Sequence, residues 1–399
     1  MGKFSYDVCV IGGLGHIGLP LGISFAKTGK KVILYDINKD SIDTVSKGKM
    51  PFSEVGAEKP LQETINKTLF ISSDRNVISQ SHFVILTIGT PIDEHLNPQF
   101  TLFKKFFDEI ISLLNDQQHI IIRSTVYPGT TEKIVEILRQ NGKKTRVSFC
   151  PERIAEGKAI EEVRSLPQII ASFDDDSLRE ASELFLNLTT QTIPLKPIEA
   201  ELAKLYTNVW RYLQFAISNQ FYQIAVQNNL DFYKIFDAVT NNYPRTKGFA
   251  KAGFAAGPCL FKDTMQLAAF ANNSFFLGHA AMLINEGLPN FIVQKLKEKH
   301  NLRTKVVGIL GMAFKGDSDD GRESLSYKLK KVLTIEAAQV LCSDPHVKDD
   351  RFMPAETLIK KSDIIIIGAT HSEYKKLKLD LASKTVVDMW NFFGLGGIL

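Results

Sequence analysis

The sequence predicts an α/β protein with two doubly wound sheets and a long helix between them. Short apolar runs recur in the first half of the chain and again near its end, which is typical of parallel strands covered on both faces. Between these regions, residues 198–228 contain neither glycine nor proline and follow a helical period. We therefore predict two Rossmann-like domains at 1–195 and 301–399, joined by a central helical domain at 196–300.

The composition is that of a globular protein and argues against several classes of partner. The chain has 399 residues, of which 44% are hydrophobic and 23% charged, enough for two or three cores. The net charge is only +4 and no long lysine or arginine run occurs, so we expect no nucleic-acid or membrane-surface partner. No apolar run approaches the roughly 20 residues of a membrane helix.

The four cysteines, Cys9, Cys150, Cys259 and Cys342, lie far apart and lack the spacing of a metal site. No signal-peptide pattern precedes them. We therefore expect a reducing, cytoplasmic compartment and no bound metal.

The first domain opens with the pattern of a dinucleotide site. An apolar run at 6–11 predicts a strand, and a helical pattern begins soon after it. The turn between them fits G-x-G-x-x-G, whose glycines allow a tight turn, close approach of a pyrophosphate and close helix packing. Its cofactor-binding candidates are Gly13, Gly15, His16, Ile17 and Gly18.

An acid follows the next predicted strand, at 31–35. Asp36 stands where a carboxylate binds the adenosine ribose hydroxyls, and no arginine follows it directly, which favours NAD over NADP. Thr90 and Thr125 follow two further apolar runs and are candidates to line the cofactor site, because ligands bind at the carboxyl ends of parallel strands. Each threonine could equally cap a helix. A doubly wound domain that binds nothing at its glycine turn is the alternative.

Two acids four residues apart follow a further predicted strand. Glu152 and Glu156 are placed to act as a base or as substrate ligands. The alternative is a pair of solvated loop acids.

The long helix carries a lysine on one face. About 30 residues of helix extend about 45 Å, more than one small domain needs, which indicates packing against a second subunit. Lys204 and Asn208 are one turn apart and share a face, close to Glu201. Lys204 either reaches solvent or donates to an oxyanion in a cleft.

A stretch rich in glycine and alanine, 253–258, leads to Cys259, and Lys262 and Asp263 follow it. Small residues allow the backbone to approach a ligand closely. A thiolate at Cys259 is a nucleophile that the cation at Lys262 would favour, and Asp263 could orient a water. The alternative is a buried, inert cysteine, because free cysteines are among the most buried residues.

Further apolar runs within 305–389 predict the sheet of the last domain, which lacks the glycine triplet of the first. Lys315 and Arg322 lie in the polar loop after the first of these strands and could neutralise a diphosphate. They could instead pair with the aspartates of the same loop.

In this order, and over essentially the whole chain, these motifs resemble those of the UDP-glucose/GDP-mannose dehydrogenase family. The matching stretches are 13–20, 124–130, 151–157, Glu201 with Lys204 and Asn208, Cys259 with Lys262 and Asp263, and 314–324. The resemblance implies a homodimer of three-domain chains, with an NAD domain, a central helix and a C-terminal domain for the nucleotide sugar. It implies oxidation of the sugar C6 alcohol to a carboxylate by two NAD, through a covalent thioester.

The resemblance also assigns roles. The catalytic residues that it implies are Cys259, Lys204, Asp263, Glu152, Asn208 and Thr125. The cysteine is expected to add to the aldehyde intermediate, and the lysine and asparagine to stabilise negative charge on the sugar oxygens. Asp263 is expected to hold the hydrolytic water, Glu152 to assist as a base, and Thr125 to position a water or contact the nicotinamide.

Ligand contacts are implied at further positions. For the cofactor they are the glycine turn, Asp36, Thr90, Thr125, Glu156, Lys262 and Arg322. For the substrate they are Glu152, Arg153, Glu156, Lys204, Asn208, Arg245, Phe249, Phe254, Gly257 and Lys315. The loop 248–257 is expected to wrap the sugar nucleotide, and Arg245 to reach it across the dimer.

Departures from the family pattern bear on the substrate. The cysteine loop reads Gly-Phe-Ala-Ala-Gly-Pro-Cys instead of the Gly-Gly-Ser-Cys form of glucose enzymes, and the stretch 151–157 is nearer to the 2-acetamido-sugar members. Both favour UDP-N-acetylmannosamine or UDP-N-acetylglucosamine, and thus a precursor for a polysaccharide such as capsule. Lys262 and Asp263 are shared with the glucose type, so UDP-glucose is the alternative substrate.

Two functions of other classes are also open. A nucleotide-sugar-binding regulator that has lost catalysis would keep the same fold. A simple two-electron dehydrogenase begins with a similar architecture and needs no cysteine.

Overall fold

The computed structural model describes residues 4–89, 100–255, 257–377 and 383–396. It divides into two compact units, Met1–Thr207 and Asn208–Leu399. We call them unit 1 and unit 2.

Unit 1 is built on one large sheet. Its strands are β1 (Tyr6–Ile11), β2 (Val32–Tyr35), β3 (Leu69–Ser72), β4 (Ser81–Leu86), β5 (His119–Ile122), β6 (Arg146–Phe149), β7 (Gln168–Ser172) and β8 (Thr192–Leu195). In the described part of the unit these eight strands lie in the order β3-β2-β1-β4-β5-β6-β7-β8. Neighbouring strands pair in parallel, except that β7 runs antiparallel to β6.

Helices cover both faces of this sheet. They are α1 (Gly18–Lys27), α2 (Lys39–Ser46), α3 (Glu58–Thr64), α4 (Phe100–Ile110), α5 (Thr130–Gln140), α6 (Ala159–Ser165) and α7 (Asp175–Phe185), with 3-10 turns at Arg75–Ile78 and Ile111–Leu113. Successive residues of β1 enter different cores: Val8 and Val10 pack on one face, Cys9 and Ile11 on the other. Because both faces are buried, the strand reads as a continuous apolar run.

Unit 2 combines helices with a smaller sheet. The helix α8 (Pro197–Gln227) begins in unit 1, and the division between the units falls inside it. It is followed by α9 (Phe232–Thr240), α10 (Leu260–Phe270), α11 (Phe276–Lys299), β9 (Val306–Leu310), α12 (Leu325–Glu336), β10 (Gln339–Ser343), α13 (Ala355–Lys361), β11 (Ile364–Ile367) and β12 (Thr385–Val387), with 3-10 turns at Pro244–Thr246, Leu302–Thr304 and Ser372–Lys376. Its strands run in parallel in the order β10-β9-β11-β12.

The helix α8 begins at a proline, whose fixed φ suits the first helical position. Soon after its last residue, Asn229 adopts a φ of 56°, in the left-handed region that a helix cannot continue through. Along one side of α8 lie large apolar side chains that are about half exposed: Tyr206, Trp210, Ile217, Phe221 and Ile224.

The predicted fold class is confirmed. The helix predicted at 198–228 is observed at Pro197–Gln227, and the strand predicted at 31–35 at Val32–Tyr35. The domain boundaries at 195/196 and 300/301 stay a prediction. Among the residues that the structure describes, none of the helices combines the length and apolar character that a membrane crossing demands.

Candidate active site

The glycine turn joins β1 to α1 and leaves one side open. A Cβ at Gly13 would stand 2.7 Å from the carbonyl oxygen of Val10, and one at Gly18 would stand 2.4 Å from that of Gly12, so both positions exclude side chains. Gly15 is different, because it is exposed and the nearest atom to a Cβ there is 3.5 Å away. The turn is therefore close-packed against the sheet and accessible at Gly15, where a pyrophosphate would approach.

Asp36 follows β2 and contacts the same turn. Its Oδ2 accepts a hydrogen bond from the Leu14 backbone at 2.9 Å, and its Oδ1 accepts one from Asn38 at 3.0 Å. His16 stacks on Phe52 at 4.0 Å, which fixes another part of the turn, and Ile17 stands directly before α1. An open glycine turn, a helix N-terminus and a carboxylate after the second strand fit a dinucleotide, with the pyrophosphate near Gly15 and a ribose near Asp36.

Of the two threonines predicted at strand ends, the structure describes one. Thr125 is half-buried and follows β5, at the carboxyl edge of the sheet. Thr90 lies outside the residues that the structure describes.

Glu152 is held by a buried arginine that the sequence analysis missed. Arg123 is 2% exposed, and its Nη2 donates to Oε2 of Glu152. Its Nη1 donates to Gln168 Oε1 at 2.9 Å and to the Cys150 carbonyl at 3.2 Å, and its guanidinium lies 5.2 Å from the centre of the Phe185 ring. The sequence feature that could have identified Arg123 is a charged residue directly after the apolar strand β5.

The other carboxylate oxygen of Glu152 shapes the loop. Oε1 accepts hydrogen bonds from the backbone of Arg153 at 2.6 Å and of Ile154 at 2.8 Å. The Arg153 guanidinium donates to the carbonyl of Pro167, so this side chain turns back onto the loop that carries it.

Glu156 is half-buried and lies beside a backbone segment that Glu54 fixes. Glu54 accepts hydrogen bonds from the backbone of Gly157 at 3.0 Å and of Ala159 at 2.7 Å, at the start of α6. A carboxylate at a helix N-terminus satisfies amides that the helix leaves without partners. Glu54 thus holds the end of the 151–157 loop in place. The sequence around Glu54 contains no pattern that predicts this role.

Glu201 and Lys204 lie near the start of α8, and Glu201 is bonded to the start of α5. Glu201, expected beside the sugar ligands, accepts hydrogen bonds from Gly129 and from the backbone and hydroxyl of Thr131, at 2.6 to 2.8 Å. It therefore caps α5, and burial raises its pKa. Lys204 is buried on the same helix, with 8% of its surface exposed.

Cys259 is the exposed cysteine of this chain, and the other three are buried. Burial raises the pKa of Cys9 and Cys150 to about 12 and raises that of Cys342 above its usual value. Cys259 immediately precedes α10 and occupies its N-cap position. The positive end of a helix dipole favours a thiolate, so this cysteine stands where reactive cysteines are found.

One turn further along α10, a buried carboxylate is held by two partners. Asp263 is fully buried, and its Oδ2 accepts a hydrogen bond from Asn208 Nδ2 at 2.5 Å. The ammonium of Lys262 lies 3.0 Å from its Oδ1. Unit 2 therefore brings Asn208 and Lys262 to the carboxylate of Asp263, which follows Cys259 in the chain by one helical turn.

The expected substrate residues of the loop before Cys259 differ in accessibility. Arg245 is exposed, 5.6 Å from the Tyr243 ring centre. The Phe249 ring stacks on Phe236 with centroids 5.2 Å apart. Phe254 is 3% exposed and belongs to the core of unit 2, and its expected contact with the substrate stays a prediction.

The polar loop after β9 carries two expected ligand contacts. Lys315 is half-buried, and its ammonium lies 5.6 Å from the ring centre of Phe314. Arg322 donates to both carboxylate oxygens of Asp320, at 2.6 to 3.0 Å. The alternative reading of Arg322, as the partner of a loop aspartate, is thus observed.

A possible cation group lies in the same region. Asp317, His346 and His371 bring ligand atoms within 4.8 Å of one another. However, His371 accepts a hydrogen bond from the Asp317 backbone at Nδ1 and contacts Asp344 through Nε2. Both ring nitrogens are engaged, so we assign no metal to this group.

Unit 2 also contains a cleft of about 630 Å³, a size within the range of ligand sites. Gly257 and Phe261 line one side of it, and the loop after Gly321 lines another. Glu286 and Lys328 face each other in this cleft at 3.3 Å, and burial raises the pKa of Glu286.

Models of one protein family match most of the chain. The UDP-glucose/GDP-mannose dehydrogenase family is matched by its NAD binding domain over residues 6–189, its central domain over 198–286 and its UDP binding domain over 308–394.

Individual relatives agree with this match. The UDP-N-acetyl-D-mannosamine dehydrogenase of Methanocaldococcus jannaschii is 30% identical, over 92% of this chain and 86% of that protein. Among solved structures, the UDP-D-ManNAc dehydrogenase of Pyrococcus horikoshii has a TM-score of 0.86 at 27% identity, covering 93% of this chain and 91% of its own. A UDP-glucose dehydrogenase of Pyrobaculum islandicum has a TM-score of 0.88 at 26% identity, covering 97% and 94%.

Proposed function

Because the chain belongs to the UDP-glucose/GDP-mannose dehydrogenase family, we propose that it oxidises the C6 hydroxyl of a UDP-N-acetylhexosamine to the uronic acid. The broader activity is that of an NAD-dependent nucleotide-sugar dehydrogenase.

The observation that carries the residue assignment is the setting of Cys259. It is the cysteine that burial has not made inert, and it stands at the N-terminus of α10. Asp263 is held one turn further on by Asn208 and Lys262. A nucleophile beside a buried, oriented carboxylate suits a reaction that forms an acyl-enzyme and then hydrolyses it.

The chemistry requires a nucleophile because the aldehyde must not escape between two oxidations. NAD, which the glycine turn and Asp36 would hold, would supply the hydride acceptor for both oxidations. The Cys259 thiolate adds to the aldehyde carbon, and removal of the second hydride from that carbon leaves a thioester. Asp263 orients the water that cleaves the carbon–sulfur bond, which releases the carboxylate and returns the thiol. Lys204 and Asn208 stabilise the negative charge that develops on the sugar oxygens.

Further residues hold the ligands. On the NAD side we assign the glycine turn, Asp36, Thr125 and Glu156, with Thr90, Lys262 and Arg322 as additional contacts. On the sugar side we assign Glu152, Arg153, Gly257 and Lys315, with Arg245 and the ring of Phe249 as outer contacts. Glu152 assists as a base, with a carboxylate that is fixed because Oε1 accepts from the loop backbone and Oε2 accepts from Arg123.

The substrate assignment rests on two similarities. The relatives named above include UDP-N-acetyl-D-mannosamine dehydrogenases that this chain matches over most of its length. The stretch 151–157 also has the form of the 2-acetamido-sugar enzymes. UDP-glucose is the second candidate, supported by the likeness to the Pyrobaculum enzyme and by Lys262 with Asp263.

We also propose a homodimer and a cytoplasmic location. The exposed apolar side chains of α8 are suited to a second copy of the same helix, since patches of this kind mark interaction sites. A thiolate nucleophile persists where thiols are kept reduced, as in the cytoplasm. Within the chain we assign 1–195 to NAD, 196–300 to dimerisation and 301–399 to the UDP-sugar.

The first prediction concerns Cys259. Wild-type enzyme given NAD and UDP-N-acetylmannosamine or UDP-N-acetylglucosamine should form two NADH per sugar, with the uronic acid identified by mass spectrometry. UDP-glucose is the comparison substrate. Cys259→Ser should abolish acid formation and leave UDP binding intact, because serine cannot form the thioester. The matched control is Cys342→Ser, which changes a buried cysteine and should keep the stoichiometry.

Each rival predicts a different result. Full acid formation by Cys259→Ser would favour a mechanism without a cysteine nucleophile. One NADH per sugar would indicate a two-electron dehydrogenase, and UDP-sugar binding without NADH would indicate a regulator. Turnover confined to UDP-glucose would overturn the N-acetylhexosamine assignment.

A further inference from the structure

The loop that leads to Cys259 is held in place by two aromatic rings of unit 2. A Cβ at Gly257 would stand 2.6 Å from Cδ2 of Phe314. A Cβ at Gly253 would stand 2.2 Å from the six-membered ring of Trp390. Both distances are far below van der Waals contact, so each ring lies directly on the backbone of a glycine.

The two rings come from the carboxyl edge of the β9–β12 sheet. Phe314 lies in the polar loop that follows β9, and Trp390 lies shortly after β12. Ligands of doubly wound domains bind beyond this edge of the sheet. Both rings therefore lie at the edge where such ligands bind, and each contacts a glycine of the cysteine loop.

Gly253 is also held by hydrogen bonds to a side chain of α8. Asn219 on α8 donates to the Gly253 carbonyl at 3.0 Å and accepts from its amide at 2.8 Å. Asn219 is itself buried and bonded to Asn285 at 2.9 Å. With these two hydrogen bonds and the Trp390 ring against it, Gly253 is a fixed point of the loop.

Gly257 is the point nearest to the nucleophile. Its φ of 101° lies in the region that favours glycine, and its amide donates to the Glu323 carbonyl at 3.3 Å. Cys259 follows two residues later and begins α10. A displacement of the Phe314 ring therefore changes the backbone directly before the cysteine.

Phe314 also contacts the group proposed to bind the diphosphate. The Lys315 ammonium lies 5.6 Å from the centre of the Phe314 ring, within reach of a cation–π interaction. A phosphate that draws this ammonium away changes the packing of the ring that lies on Gly257. The Phe314 ring therefore contacts both the Lys315 ammonium and Gly257, two residues before Cys259.

We propose that Phe314 and Trp390 are positioning residues that fix the cysteine loop, and that Phe314 couples nucleotide binding on unit 2 to the exposure of Cys259. This inference rests on the proposed function, since it takes the Lys315 region to bind the UDP moiety. Neither aromatic residue belongs to the substrate or cofactor contacts assigned above.

The test uses alkylation of Cys259 by iodoacetamide, followed by mass spectrometry of its peptide, with and without UDP. UDP lacks the hexose that the sulfur attacks, so it reports on the loop without covering the thiol. In the wild type, saturating UDP should slow alkylation about fivefold or more, the lower end of typical coupling between sites. Phe314→Leu should bind UDP with little loss of affinity, yet UDP should no longer slow alkylation.

Phe352 in unit 2 provides a matched control. Phe352 also has a lysine over its ring, with Lys330 at 5.9 Å, but the nearest atoms to Gly253 and Gly257 belong to other residues. Phe352→Leu should therefore keep the wild-type response to UDP. An unchanged response in Phe314→Leu, or a wild type that binds UDP without any change in alkylation, would overturn the coupling.

A second measurement does not depend on a core variant. The chain has two tryptophans, so Trp210→Phe leaves Trp390 as the one indole fluorophore. UDP should shift its emission, because the indole lies on Gly253 of the loop whose position UDP binding is proposed to change. Unaltered emission on UDP binding would contradict the role of Trp390. Failure of the wild type to bind UDP would contradict the proposed function itself, and the inference with it.

Discussion

Asp36 serves the glycine turn through a hydrogen bond from Leu14, in addition to its proposed contact with a ribose. Asp36→Ala should therefore weaken NAD binding about tenfold or more, since a hydrogen bond to a charged group contributes ~1.5 kcal/mol or more. UDP binding should not change. Isothermal titration with each ligand separates the two effects.

Asp7 offers the matched control for this variant. Its carboxylate also accepts a backbone hydrogen bond, from Lys31 at 2.7 Å, but at the opposite edge of the same pair of strands. Asp7→Ala should leave NAD affinity unchanged. Equal weakening of NAD binding in both variants would show that the carboxylates act only through the stability of the sheet.

Arg123 and Glu152 form a buried ion pair whose partners depend on each other. Arg123→Met would leave the Glu152 carboxylate buried without its cation, which typically costs 3–5 kcal/mol, that is, about 4 kcal/mol of unfolding free energy. Adding Glu152→Gln should restore part of that stability, because the uncompensated charge is removed. Urea unfolding of the two single variants and the double variant measures the coupling.

The exposed pair between Arg179 and Asp176 is the comparison for this experiment. Arg179→Met should change the unfolding free energy by less than ~1 kcal/mol, as is usual for ion pairs in solvent. If Arg123→Met were equally mild, or the double variant were no better than the single one, the pair would not be coupled as described.

Local sequence identified one member of this ion pair and not the other. Glu152 was recognised because it follows a strand at the edge where ligands bind. Its bond to Arg123 joins residues 29 positions apart, and Glu201 reaches Thr131 over 70 positions. Such pairings depend on which strands become neighbours, and no local spacing encodes that order.

At the scale of elements, β5, β6 and α7 meet in a polar cluster around Glu180. His119 contacts Glu180 at 2.8 Å through Nδ1 and Ser148 at 2.7 Å through Nε2, and Arg146 lies 2.7 Å from Glu180. The hydrogen bond from His119, together with Arg146, lowers the pKa of Glu180 to about 2. His82 of β4 also lies 3.1 Å from Glu180, so the cluster joins three strands and a helix through one carboxylate.

This cluster gives a pH dependence with a defined sign. Glu180 has a folded pKa below its ordinary value of 4.5, so its contribution to stability is present above pH 4.5 and is lost as the pH falls towards about 2. Over that window, the urea midpoint of the wild type should fall more steeply than that of Glu180→Gln. Glu183→Gln, an exposed acid on the same helix, should follow the wild type; identical slopes for all three would rule out the contribution of Glu180.

The elements themselves were largely predictable, because each is marked by its own sequence. The absence of glycine and proline over 198–228 predicted α8, which begins at Pro197. The start of α12 is also marked locally, since the Ser324 hydroxyl accepts a hydrogen bond from the Ser326 amide. The antiparallel direction of β7 was not predicted. A buried strand has the same apolar pattern in either direction, so its orientation depends on the connection and not on the run itself.

At the scale of the whole molecule, the apolar side of α8 is the basis for the proposed homodimer. Trp210 is 62% exposed in the single chain, which is unusual for a large aromatic side chain away from an interface. Trp210→Asp should produce monomers in light scattering, because a charge would be buried against the partner helix. Arg211→Asp, one residue along and on another side of the helix, should remain dimeric.

A wild type that is monomeric at working concentration would contradict the assembly. If Trp210→Asp and Arg211→Asp dissociated the dimer equally, the apolar side of α8 would not be the dimer interface. The sequence predicted that a helix of this length would meet a second subunit, but it did not separate the apolar residues that enter the core, such as Leu205 and Val209, from those that stay exposed.

The reversed direction of β7 has a consequence for how such an enzyme can diversify. Antiparallel neighbours need only a short turn between them, whereas parallel neighbours need a crossover. The segment 150–167 therefore begins and ends at one edge of the sheet, and its length is not dictated by the strands it joins. It can lengthen, shorten or exchange sequence while the framework stays intact. Together with the ligand contacts proposed at Glu152 and Glu156, this makes the segment suited to changes in sugar preference.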